Sequence, residues 1–278
     1  MKLAILFWFY KDIQLCENRL QILRQHNPDT PIFGLFGGEV SEAESFQIQL
    51  TPYLNDFYAF VETDDPQWKW QHGDLMISQW YRERGESLSW DTIFIAQWDM
   101  LVLKPVDELF KTLKQDEILL SGLRPVAEVE NWWWWIKKGT ERREQYEQFL
   151  NYLSSEKGYA SEPLCCQFIV ACLPKRFLDD YSNIDNPEPG FLEYKIPMYA
   201  QLFGIRTCTD HPFNPWWADD PSTRSVPLQG RVLNADVEEV SLRSIWLHML
   251  KKCPGAIFHP VTRKFPKGIR GWLLKLVS

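Results

Sequence analysis

The chain has 278 residues, of which 45% are hydrophobic, and a formal net charge of −7. This composition supplies a large buried core and excludes intrinsic disorder. The acidic balance also argues against nucleic-acid binding, which needs a broad excess of Lys and Arg to neutralise phosphates.

The first residues and the cysteines indicate a reducing compartment. The apolar stretch after Met1 is too short to span a membrane and has no small-residue cleavage site. Six cysteines are present without a Cys-x-x-Cys pair, which fits neither a zinc site nor a disulfide framework. We therefore expect a cytoplasmic protein, either free or peripheral at the inner face of a membrane.

The first half of the chain alternates strand patterns with helix patterns. A continuous apolar run, Leu3–Phe9, predicts a strand buried on both faces, and helical spacing then continues to the stop at Asn27-Pro28. Apolar runs predict further strands at 31–36, 57–61 and 92–96. Helical stripes occupy 72–84 and 106–113.

Beyond Gly122 the strand signals weaken. Candidate helices lie at 141–153 and 194–203, and candidate strands lie near 167–172 and 205–208. The alternation as a whole predicts an α/β fold with an open, mostly parallel central sheet flanked by helices. Ligands of such sheets bind beyond the carboxyl ends of the strands.

The most informative segment ends the strand at 92–96. Gln97 and Asp99 project to the same side of an extended chain. A carboxylate at the end of a buried strand is costly without a partner, and a divalent cation that bridges it to a diphosphate is one such partner. The alternative is that Asp99 is a turn or capping residue without a ligand.

The triplet Gln97-Trp98-Asp99 resembles the Asp-x-Asp motif of glycosyltransferases of the GT-A fold, with Gln97 in place of the first acid. The resemblance implies a single Rossmann-like domain in which Asp99 binds Mn²⁺ or Mg²⁺ and Gln97 contacts the nucleotide-sugar. It also implies a division into a nucleotide-sugar-binding half at 1–125, an acceptor-side half at 126–260 and a basic amphipathic tail at 261–278.

Two later segments extend this resemblance. His259 follows a short apolar strand, where a His completes the metal coordination in several families of the fold, and imidazole suits Mn²⁺. Glu193 precedes a helix and is our choice for the base that removes a proton from the acceptor. The alternatives are a structural His and a carboxylate that favours a helix N-terminus. Glu162 and Asp179 are weaker substitutes for the base.

Three residues are further candidates for contact with the nucleotide. Phe9 and Tyr10 end the first strand, where a base or ribose binds in GT-A enzymes, and Asp74 lies on the helix before the Asp99 strand. An aromatic residue at a strand end is otherwise part of the core.

Two aromatic or basic segments are also notable. Trp132 to Trp135 are four consecutive indoles, and since adjacent side chains cannot share one face, at least one should be exposed or held in a lid. A sugar platform, a membrane-interface contact and burial are all open. The tail from Thr262 carries five cations and no acid, and it either contacts an anionic bilayer or packs on the body.

The sequence thus predicts a glycosyltransferase that moves a hexosyl-type sugar from a nucleotide-diphospho-sugar to a glycan or lipid-linked acceptor. One alternative is a non-catalytic carbohydrate- or partner-binding protein with the same fold, which the neutral Gln97 favours. A nucleotidyltransferase is a second alternative, although the Gly-rich basic loop expected after its first strand is missing. A Rossmann dehydrogenase is disfavoured because no Gly-x-Gly-x-x-Gly follows a strand.

Overall fold

The structure is a computed structural model that describes residues 1–210, 239–250 and 256–266. The strands in these residues are β1 (Leu3–Phe9), β2 (Ile32–Phe36), β3 (Asp56–Ala59), β4 (Thr92–Gln97), β5 (Leu101–Val102), β6 (Glu117–Leu120), β7 (Arg124–Pro125), β8 (Leu164–Cys165), β9 (Ala171–Pro174), β10 (Arg206–Thr207) and β11 (Ile257–Phe258). The helices are α1 (Ile13–His26), α2 (Ala43–Leu50), α3 (Pro66–Gln71), α4 (Gly73–Glu83), α5 (Val106–Leu109), α6 (Glu141–Lys157), α7 (Lys175–Tyr181), α8 (Leu192–Leu202) and α9 (Leu242–Leu250).

Seven of these strands form one central sheet, in the order β10-β6-β9-β4-β1-β2-β3. The strands β3, β2, β1 and β4 are parallel to one another, and β10 is parallel to β6. Only β9 is reversed within this sheet, since it pairs antiparallel with both β4 and β6. The predicted α/β fold with a mostly parallel sheet is confirmed.

The side chains of β1 alternate between two hydrophobic clusters, one on each face of the sheet. Ile5 and Phe7 pack in the cluster that contains the apolar side of α1, whereas Ala4 and Leu6 pack in the cluster that contains the apolar side of α4. Helices therefore cover both faces, which explains why β1 has an uninterrupted apolar sequence.

Several elements differ from the sequence-based expectation. The predicted strand near 167–172 is β9, which starts later and runs antiparallel, and the helix expected over 106–113 is the single turn α5. The elements α2, β6 and α7 were not predicted. The sheet takes strands from both sides of residue 125, and the division of the chain into two halves remains a prediction.

A late segment of the chain returns to the loop after β4. Strand β11 pairs antiparallel with β5, with Phe258 opposite Leu101. Most of the predicted basic tail, residues 267–278, lies outside the described residues. Within the described part of the chain, no helix combines the length and apolar character needed to cross a bilayer.

Candidate functional site

A cleft of about 430 Å³ lies at the carboxyl ends of β1 and β4. It brings together three of the residues that the sequence analysis selected, Gln97, Glu193 and His259. The remaining lining is mainly aromatic, and its other polar side chain is Gln167. The position agrees with the edge of the sheet at which α/β proteins bind their ligands.

Asp99 and His259 form a pair beside this cleft. Asp99 lies in the turn between β4 and β5, and His259 directly follows β11, so the pairing of β5 with β11 brings the two residues together. The distance between Asp99 Oδ1 and His259 Nε2 is 3.5 Å, and both side chains are largely buried.

The segment that carries His259 is fixed on two sides. The Val261 N–H donates to the Asp99 carbonyl at 2.8 Å. The buried guanidinium of Arg19 donates to the carbonyls of Val261 and Arg263 at 2.6 and 2.8 Å. Asn18 adds a reciprocal pair of hydrogen bonds with the backbone of Phe265, so adjacent α1 residues hold the returning chain.

The surroundings of Asp99 favour its ionised form. Burial raises the pKa of its carboxyl, but the adjacent His259 and the positive charge of Arg19 oppose burial and hold the pKa below its ordinary value. A carboxylate is also the form that binds a cation.

The Asp99–His259 pair fits a divalent cation as a two-ligand site. Asp99 Oδ1 is buried, and His259 Nε2 is its neighbour at 3.5 Å. Asp99 would supply a carboxylate oxygen and His259 an imidazole nitrogen, a donor pair that suits Mn²⁺, and these two atoms are 3.5 Å apart. Within residues 1–210, 239–250 and 256–266, no group of three or more His, Cys, Asp and Glu side chains could hold a metal.

Glu193 lies in the first turn of α8 and lines the cleft. Its Oε1 accepts a hydrogen bond from the Phe168 N–H at 2.9 Å. Burial raises the pKa of the Glu193 carboxyl to about 7, although the hydrogen bond from Phe168 favours the ionised form. Glu193 therefore lies at a helix N-terminus and also lines the cleft, and its role as base remains a prediction.

The peptide groups around Phe168 connect Glu193 to Gln97. Gln97 Nε2 donates to the Phe168 carbonyl at 2.8 Å, while the Phe168 N–H holds Glu193. The two polar side chains are therefore fixed by one residue of the loop before β9.

Of the two aromatic candidates at the end of β1, only Tyr10 is accessible. Tyr10 is 42% exposed and contacts the Trp98 ring edge-on at 5.6 Å, with the Lys11 ammonium 4.8 Å from the centre of the same ring. Phe9 is fully buried and packs against Phe36 and other rings of the core. The structure therefore corrects the expectation for Phe9, which is a core residue.

Asp74 is also placed in the interior, away from the cleft. Its carboxylate pairs with the ammonium of Lys195 at 2.6 Å, with both side chains fully buried, and accepts a hydrogen bond from the Tyr181 hydroxyl. Asp74 thus joins α4 to α7 and α8, and the expected contact with a nucleotide is corrected. Glu162 and Asp179 are exposed, and neither lines the cleft.

The cleft contains aromatic residues that the sequence analysis did not single out, above all Trp8 and Trp70. Trp8 approaches the start of α4 so closely that a Cβ at Gly73 would lie 2.2 Å from its ring. All four indoles of Trp132 to Trp135 also line the cleft, and Trp134 is 55% exposed, as expected for one member of such a run. A signal for Trp8 was available, since it adjoins the end of a buried strand.

No protein-family model and no curated protein matches the chain. A bifunctional glycosyltransferase, WbbM, matches with 10% identity and a TM-score of 0.44, over 95% of this chain and 46% of its own, so this chain spans about half of that protein. A cytidylyltransferase of Leptospira borgpetersenii matches with 10% identity and a TM-score of 0.39, over 74% of each chain. A protein of Desulfovibrio desulfuricans described as a nucleotide-diphospho-sugar transferase matches with 10% identity and a TM-score of 0.40, over 74% of this chain and 79% of its own. Likeness at this level assigns no activity to this chain.

Proposed function

We propose that the protein transfers a hexosyl-type sugar from a nucleotide-diphospho-sugar to a hydroxyl group of an acceptor. The observation that supports this function is that Glu193 and His259 line one cleft, with Asp99 beside His259. A carboxylate suited to proton transfer thus lies in the same cleft as a pair suited to a cation, at the edge of the sheet where ligands bind.

Glu193 is the proposed general base. A carboxyl with a pKa of about 7 is ionised in a large fraction of molecules at neutral pH and is basic enough to accept a proton. The Glu193 oxygen that does not hold Phe168 would take the proton of the acceptor hydroxyl while the acceptor oxygen bonds to the anomeric carbon. The bond from that carbon to the phosphate oxygen breaks, and its electron pair leaves with the nucleoside diphosphate. Such a single displacement inverts the anomeric configuration.

Asp99 and His259 would hold Mn²⁺ or Mg²⁺, which stabilises the negative charge of the departing diphosphate when it is bound. Tyr10 and Lys11 lie at the neighbouring end of β1. Their ring and cation would contact the nucleoside and phosphate parts of the donor.

The test is to measure nucleoside diphosphate release from UDP-, GDP- and CDP-sugars with a mixture of saccharide acceptors. We expect Glu193→Gln to lower kcat by about 10²- to 10⁴-fold, the usual contribution of a general base. Glu188→Gln, which changes an exposed acid nearby, should retain activity. Full activity of Glu193→Gln would refute its role as base, and release of pyrophosphate would indicate nucleotidyl transfer instead.

A further inference from the structure

Two exposed tryptophans lie at the same cleft. Among the described residues, the exposed indoles are Trp70 and Trp134, each 55% exposed, and Trp246, which is 38% exposed. Trp70 and Trp134 come from separate parts of the chain, yet both line the cleft that contains Glu193. Large apolar side chains grouped at one exposed site are typical of a binding surface.

The wall behind these two indoles consists of closely packed rings. Trp135 stacks on Phe191 with ring centres 3.6 Å apart and planes at 12°, and the Arg142 guanidinium lies 3.8 Å from its centre. Because both faces of Trp135 are covered, it serves as a support for Trp70, whose ring centre is 5.1 Å away. Phe191 is two residues before Glu193, so this wall also adjoins the carboxylate.

The charge of the cleft limits which ligands suit these indoles. Its lining contains no Lys or Arg among the described residues, and Glu193 is its one carboxylate. An anionic group placed beside Glu193 would therefore meet a like charge, while Arg142, a cation outside this lining, lies over the rings of Trp134 and Trp135. A neutral pyranose ring presents C–H groups on one face, which pack on the electron-rich face of an indole, and hydroxyl groups at its edge, which can reach Gln167 and Glu193.

We propose that Trp70 and Trp134 bind a neutral saccharide, which is the acceptor of the transfer. The assignment as acceptor rests on the proposed function, whereas saccharide binding itself does not require it. The carboxylate next to the aromatic wall is then in position to meet a hydroxyl group of the bound saccharide.

The experiment measures the binding of two ligand sets to the full chain by calorimetry. The first set is lactose, cellobiose, maltose and their trisaccharide homologues, with uronic-acid disaccharides as anionic counterparts. The second set is UDP, GDP and CDP with Mn²⁺. The variants are Trp70→Ala and Trp134→Ala, and Trp246→Ala on α9 is the matched control, since it removes an exposed indole that does not line the cleft.

We expect at least one neutral saccharide to bind the wild type. Its affinity for each cleft variant should be lower by about tenfold or more, and its affinity for Trp246→Ala should be unchanged. Uronic-acid counterparts should bind more weakly than neutral saccharides, and nucleotide binding should be unchanged in all variants. Circular dichroism of each variant should match the wild type.

Three results would overturn the inference. These are an absence of neutral saccharide binding to the wild type, unchanged saccharide binding in both cleft variants, or a loss of nucleotide binding in them, which would make the indoles a platform for the donor base. If saccharides bind as expected but no nucleotide or nucleotide-sugar does, the proposed transferase function fails while the saccharide site stands. If nucleotides bind but saccharides do not, the saccharide site fails while the proposed transferase function stands.

Discussion

At position 97 a neutral amide stands where the Asp-x-Asp motif has its first acid. The amide nitrogen donates to the Phe168 carbonyl, a bond that a carboxylate could not make because it has no proton to give. An aspartate here would face that carbonyl with a like partial charge. Gln97 therefore fixes the Phe168 peptide, whose N–H in turn donates to Glu193.

Glu193 should make stability depend on pH in an unusual direction for an acid. In the unfolded chain the pKa of its carboxyl is about 4.3, whereas in the folded protein burial raises this pKa to about 7. The stability that this carboxyl contributes is therefore fully present below about pH 4.3 and is lost as the pH rises to about 7. Glu193→Gln avoids this loss, and we expect it to be more stable than the wild type at pH 8, by about 3 kcal/mol.

Urea unfolding at pH 4 and pH 8 would measure this difference. It should vanish at pH 4, where both side chains are neutral, and Glu188→Gln should show no such change with pH. Equal stability of wild type and Glu193→Gln at pH 8 would contradict the raised pKa of Glu193.

At the scale of elements, the contact of α1 with the returning segment is the one to test. Arg19→Met removes the donors for the carbonyls of Val261 and Arg263, and the buried Val261 then remains without that partner. We expect a loss of about 2–4 kcal/mol in the free energy of unfolding, as is usual when a buried hydrogen-bond network is broken. Urea unfolding would compare the free energies of unfolding of Arg19→Met and of the control Arg243→Met, which changes an exposed Arg on α9. Equally small losses in both variants would show that the contact is dispensable.

Most elements of the first half could be predicted, because their apolar patterns are long. The bounds of β1 were correct, and α1 ended at the predicted Asn27-Pro28 stop. Strand β6, by contrast, has only four residues, and the two-residue strand β5 carries no periodicity at all, whereas the short apolar strand predicted before His259 is β11. The reversed direction of β9 depends on its two neighbours in the sheet, which a local pattern cannot reveal.

For the whole molecule, ligand binding should raise thermal stability. A ligand that binds only the folded state stabilises it by about 2.7 kcal/mol at a hundredfold excess over its dissociation constant. We expect one of UDP, GDP and CDP to raise the Tm in the presence of Mn²⁺. The rise in Tm should be smaller when a chelator replaces Mn²⁺, and in Asp99→Ala this difference between Mn²⁺ and chelator should disappear. Asp29→Ala, at an exposed position, serves as the control. A Tm that no nucleotide changes would favour the non-catalytic carbohydrate- or partner-binding alternative.

The candidate site could be predicted only in part. Chemistry and chain position suggested Asp99 and His259, and the structure places them together through β5 and β11. The same reasoning wrongly placed Phe9 and Asp74 at the site. The sequence does not show which way a side chain points, nor that Lys195 forms a buried ion pair with Asp74. Trp70 was missed because its position in the cleft wall depends on contact with Trp135, which is 65 positions later in the chain.

The late arrival of β11 has a consequence during protein synthesis. All seven strands of the central sheet lie before residue 208, whereas His259 follows some 50 positions later. Domains begin to form while the chain is still being made, so a ribosome that stalls between these points releases a chain with every strand of its sheet and with Glu193 but without His259. Translation must therefore pass residue 259 before the cleft can be completed, and a prematurely released chain would lack one wall of it.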